Sequence, residues 1–295
     1  MRVKKILTKE CMYNPEIYSK VIFYVKEELE PDILLPPLDL TIEAEVLGAT
    51  VDYPNYDPPR IIKKVSLDEV RIRGEGRIPL MLNAARKSRK DKPLGFYITG
   101  PFTVLGQVIG VDALLLNLMK KDKIIKSHLE EITQLSIEYS RKLLKAGVDF
   151  IIMAEPVSSL ISPTYFKVFS KPFIEEILYK TKAPVILHIC GKSKHLIKEV
   201  SDLNLLGISI DQNVPLEEAL QKLPENILVF GNYNPVNLVF QKPDEIKENV
   251  RKMLEPVINY RNVVASTGCD TPSTTPLENI KAFINGSRSI LRKCS

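Results

Sequence analysis

The sequence predicts an α/β protein folded as a (β/α)8 barrel, and three observations carry that reading. From residue 95 onward, short apolar runs alternate with amphipathic helical stretches at the spacing of parallel βαβ units. No Gly-rich dinucleotide or phosphate-binding loop follows any of the runs, which ranks a doubly wound open sheet second. Polar residues also recur at the carboxyl ends of several different runs: Glu155, His188, Cys190, Asp211, Asn232 and Cys269. In a barrel those ends converge on one face, where the chemistry sits.

Taken in order, the chain opens with a short strand expected at residues 3–7, beginning on Val3, and a helix over 15–30 with Asn14 as its cap. Ile33, Leu34 and Leu35 form an apolar strand ended by Pro36 and Pro37, and a short helix from Thr41 stops near Gly48. Residues 53–60, rich in Pro, Tyr and Asp, read as loop, and 79–89 as helix with Pro79 at its first position. Strands follow at 95–99, 150–153, 185–190, 206–210, 227–230 and 263–265. Between and after them come helices from Gly100-Pro101, at 123–146, at 163–180 capped by Ser162, through Lys198, and at 215–223, 243–258 and 276–291. Seven strands are thus legible, and residues 3–7 supply the eighth. One domain over 1–295 is expected.

Composition narrows the function classes. A 44% hydrophobic and 26% charged chain of 295 residues is an ordinary globular protein. The net charge of +5 comes from lysines spread over helical faces, which argues against nucleic acid and leaves small anions in play. No apolar run reaches membrane-spanning length and no signal segment opens the chain, so a cytoplasmic protein is expected. The four cysteines, Cys11, Cys190, Cys269 and Cys294, lack the spacing of a disulfide framework.

Two of them stand out. In Val185-Ile186-Leu187-His188-Ile189-Cys190, alternation puts His188 and Cys190 on one face of a strand, one pleat apart, just before Gly191. A buried thiol beside a satisfied histidine explains that pair equally well. Cys269, on a later strand end, shifts the balance. Two thiolates and one imidazole suit zinc, and three ligands leave a fourth position open, as in catalytic sites. Asp211 and Glu155, acids at strand ends, are candidate catalytic groups whose bland alternative is a helix cap. Asn232 and Gly268 are expected to border the cofactor. His128 and His195 read as surface residues.

The same residues carry a resemblance to a known family. The chain resembles the uroporphyrinogen decarboxylase superfamily, and within it the zinc-dependent corrinoid methyltransferases that methylate coenzyme M. The resemblance runs through Leu40-Thr41-Ile42-Glu43-Ala44-Glu45-Val46-Leu47-Gly48, Gly100-Pro101-Phe102-Thr103, Ala154-Glu155-Pro156, His188-Ile189-Cys190-Gly191 and Gly268-Cys269-Asp270, and ends in Thr275-Pro276-Leu277-Glu278-Asn279. It implies a barrel with a shortened amino terminus and zinc on His188, Cys190 and Cys269. It also implies that Asp211 fills the open position until substrate displaces it. The corrinoid is expected from a partner protein docked on the barrel mouth. The expected reaction moves a methyl group between that corrinoid's cobalt and a small thiol such as coenzyme M, within methanogenesis or one-carbon metabolism. Asp270 is also found in relatives that demethylate methoxylated aromatics, so O-demethylation onto cobalt(I) is the alternative. Decarboxylation is not expected, because the arginine-bearing motif that grips porphyrinogen carboxylates is absent. A zinc-free binding barrel is the reading from a different class.

Overall fold

The computed structural model describes residues 5–88 and 91–291. A small antiparallel hairpin, β1 (Thr50–Asp52) and β2 (Arg60–Lys63), precedes one parallel sheet whose order follows the chain. That sheet holds β3 (Gly95–Thr99), β4 (Phe150–Ala154), β5 (Val185–Ile189), β6 (Gly207–Ile210), β7 (Leu228–Tyr233) and β8 (Val263–Thr267). These runs are strands because they are β-branched or aromatic and covered on both faces, as in β4, where all five residues are buried.

The run from Ile33 to Leu35 stands beside β3 as a further stave through a parallel bridge between Leu34 and Leu94. Phe150, Ile152, Ile186 and Phe230 fill the interior, and Ile33, Leu35, Tyr97, Leu228 and Val264 pack around them. Side chains from the first stave and from β8 therefore meet in one core, and the sheet curls into a barrel. Among the described residues no backbone ladder joins β8 to the Leu34 stave. All five residues of β8 are half-exposed, which marks a seam on that side.

The strand expected at 3–7 is not part of the sheet. Val3 and Lys4 lie outside the described residues, the next three are not strand, and a helix runs over Thr8–Tyr13. Cys294 also lies outside. Strand positions expected after residue 95 hold to within a few residues. The helix expected over 163–180 is two, Pro163–Phe169 and Lys171–Thr181. Pro172 has no N–H to offer the turn before it, and the chain breaks at Ser170. The hairpin β1–β2 and the helices Val111–Asn117 and Asn237–Phe240 were not expected. Proline-rich flanks hide the hairpin strands, and Gly110, with φ of 94°, separates two helices that read as one apolar block. No described helix is long and apolar enough to cross a membrane.

Candidate metal centre

The inward positions of the barrel fix the face of the site. Ile186 points into the interior, so His188, two residues on, does the same one pleat nearer the mouth. Cys190 follows at the strand end, and Gly191 turns the chain away with φ of 79°. On β8, Val264 points inward, and Cys269 lies just past the end of that strand. A ligand atom from each of His188, Cys190 and Cys269 lies within 4.8 Å of the other two, and all three residues are half-buried.

Hydrogen bonds orient the ring. His188 Nδ1 sits 3.2 Å from the Ser209 carbonyl oxygen and 3.0 Å from its hydroxyl on β6, which leaves Nε2 to bind a metal. The two thiols behave as one unit. Cys269 is held well below the usual thiol range by hydrogen bonds from Cys190 and His188, while the hydrogen bond to Cys269, then burial and the Cys269 charge, push Cys190 well above it. Two soft sulfurs and an oriented imidazole on rigid strand ends suit zinc and leave room for a fourth ligand. Cys11, fully buried elsewhere, takes no part.

Asp211, though nearly buried at the end of β6, is not one of that group. Its Oδ2 accepts from the Gly191 amide at 2.9 Å and its Oδ1 from the Asn213 amide at 2.8 Å. The carboxylate thus clamps the loop that carries Cys190. Asn232 donates to the Asp211 carbonyl at 3.0 Å and to that of Val214, bracing from β7 the 211–214 loop that carries Asp211 itself. Gly268 touches it from β8: a first side-chain carbon there would stand 2.4 Å from the Gln212 nitrogen.

Glu155 is fully buried and faces the preceding unit. It accepts from the Phe102 amide at 3.2 Å, the Thr103 amide at 2.7 Å and the Thr103 hydroxyl, capping the helix Pro101–Ile109. Burial pushes its carboxyl up to about 7. Its own amide donates to the His188 carbonyl at 2.8 Å. His195 is exposed yet stapled, with Nδ1 3.0 Å from the Lys192 carbonyl oxygen and Nε2 2.9 Å from that of Ile161.

Two further side chains border the site. Tyr97 packs on the interior core, and burial followed by the charges of Asp270 and Cys269 raises its phenol above the usual range. Asp270 opens onto the mouth, where desolvation and then the Cys269 charge push its carboxyl up to about 6. The sequence shows Tyr97 only as part of the strand expected at 95–99. Its parity with Ile33, Leu35 and Phe150 on the inner face was the available signal.

A barrel with chemistry at the strand ends defines a class, and comparison with known proteins makes it specific. The uroporphyrinogen decarboxylase family model matches residues 1–290, and the chain belongs to that family. It is 27% identical over 271 residues to the methylcobamide:CoM methyltransferase MtbA of Methanosarcina acetivorans, covering 86% of this chain and 78% of that protein. Identity to the uroporphyrinogen decarboxylase of Picrophilus torridus is also 27%, over 296 residues, with 95% of this chain and 87% of that protein covered. Among solved structures, a methyltransferase from Methanosarcina mazei superposes with a TM-score of 0.89 at 25% identity, covering 98% of this chain and 89% of that one.

Proposed function

We propose that the protein is a zinc-dependent methyltransferase that moves a methyl group from the cobalt of a corrinoid to the sulfur of a small thiol. The observation that carries this reading is the His188, Cys190 and Cys269 cluster at the barrel mouth. Overall identity does not separate the methyltransferase and decarboxylase relatives, whereas a sulfur-rich metal site has a direct use in thiol chemistry. Zinc, when bound there, supplies a Lewis acid that keeps a coordinated thiol deprotonated at neutral pH.

The chain's own residues supply the rest. Cys190, Cys269 and His188 hold the ion, and Ser209 fixes the imidazole. Asp211 fixes the Cys190 loop, and Asn232 and Gly268 fix the 211–214 loop that carries Asp211. A corrinoid carried by a partner protein over the mouth would supply the methyl group to the thiolate sulfur, with cobalt(I) as the leaving group.

Elemental analysis tests the metal: one zinc per chain is expected in the wild type, with large losses in Cys190→Ser and Cys269→Ser. Methylcobalamin with a panel of small thiols tests the reaction through the loss of the methylcobalt spectrum. Turnover only with cobalt(I) corrinoid and a methoxybenzoate assigns the protein to O-demethylation instead. An active, metal-free wild type removes the site.

A further inference from the structure

We infer that Cys190 and Cys269 double as a redox pair. When the site holds no ion, a peroxide joins their sulfurs in a reversible disulfide, and that bond shuts the site to metal. The bond itself stands apart from the methyl transfer proposed above; only its effect on metal binding rests on reading the cluster as a zinc site.

Position carries the inference. The two sulfurs lie within 4.8 Å of each other. A relative shift of about 3 Å at most brings them to bonding distance. Both cysteines are free and half-buried, so a small oxidant reaches them. Each stands just past the end of a strand rather than within one, where the ladder no longer fixes the backbone. Cys269 follows β8, whose five residues are all half-exposed, and thin cover leaves that end room to move. Cys11, the other cysteine among the described residues, is fully buried and out of reach. An accessible thiol with a second thiol beside it is the arrangement that turns oxidation into a reversible bond instead of damage.

The chemistry needs one two-electron oxidant, and hydrogen peroxide serves. One thiolate attacks a peroxide oxygen, the O–O bond breaks, and the sulfur becomes a sulfenic acid as hydroxide leaves. The second thiolate attacks the sulfenic sulfur, an S–S bond forms, the S–O bond breaks and a second hydroxide leaves. The hydroxides take up the two thiol protons, so two thiols and one peroxide give one disulfide and two waters. A disulfide offers no thiolate to a metal, and of the three ligands only His188 remains. Bound zinc occupies both sulfurs and protects them. A dithiol reverses the bond by exchange.

The test treats metal-free wild type with an equivalent of hydrogen peroxide, counts free thiols, records the intact mass and maps non-reduced peptides. Two thiols are expected to be lost, the mass to fall by about 2 Da with no oxygen retained, and the map to join Cys190 to Cys269. Zinc uptake, read in competition with a chromogenic chelator, is expected to be lost and to return after dithiothreitol. Zinc-loaded protein is expected to keep both thiols under the same treatment. Cys190→Ser and Cys269→Ser are each expected to stop at a sulfenic acid on the remaining cysteine, trapped by dimedone. A link from either residue to Cys294, or sulfinic acid in place of the link, overturns the inference. So does oxidised protein that takes up zinc as the reduced form does. If the reduced protein takes up no zinc, the zinc reading falls, whereas a Cys190–Cys269 link in the map still upholds the redox pair.

Discussion

Both oxygens of Asp211 are engaged by the chain, one by the Gly191 amide and one by Asn213, and the carboxylate is expected to support a metal by holding the loop of Cys190. Removing it frees the loop of Cys190 while leaving three ligands in place. Partners that hold metal ligands typically contribute 10–100-fold in affinity, so Asp211→Ala is expected to weaken zinc binding by about that factor. X-ray absorption of the substrate-free variant should show the same sulfur and nitrogen shell as the wild type; loss of an oxygen neighbour would instead make Asp211 a ligand. Alternation along β5 and the end of β6 put His188, Cys190 and Asp211 on one face from sequence alone. Whether that carboxylate coordinates or clamps depends on where the 190–193 loop turns, which no local pattern encodes.

At the scale of elements, the end of β3 is gripped by two buried acids. Glu43, on the helix Ile42–Val46, accepts from the Thr99 amide at 3.0 Å, and Glu155, at the end of β4, takes the next amides along. Burial pushes both carboxyls up to about 7. A raised carboxyl binds its proton more tightly in the folded than in the unfolded chain. Its contribution is therefore fully present below about pH 4.5 and is lost as pH rises towards and through 7. Glu43→Gln is expected to flatten the fall in stability between about pH 4.5 and 7 by up to about 3 kcal/mol, read from urea melts across that range. An unchanged pH profile would show that Glu43 does not titrate there. A sequence reading expects an acid at a strand end to cap the helix that follows. Glu155 caps the helix of the unit before it, a choice made only once β3 and β4 lie side by side.

At the scale of the molecule, the alternation of strands and helices made the barrel legible, because covering a parallel sheet on both faces leaves so few topologies. The hairpin β1–β2 was not legible, since neither strand carries a buried apolar face: their residues are exposed or half-exposed. Nor was the seam beside β8, which depends on what stands next to that strand rather than on its own residues. The metal cluster spans this unevenness. His188 lies on β5, a strand buried at every position but one, with Cys190 just past its end, and Cys269 follows β8, half-exposed throughout.

Unequal cover implies unequal opening. Backbone amides of β8 are expected to exchange with deuterium faster than those of β4 and β5, since local opening is easiest where few contacts oppose it. An ion held partly by Cys269 binds only while the end of β8 is closed, so zinc should slow exchange at 263–269 far more than at 185–189, and a chelator should reverse it. Equal slowing of both strands would mean that the barrel opens as one unit. If the difference appears, the looser strand becomes a timer: the rate at which β8 breathes sets the upper limit on how quickly the protein can release its metal.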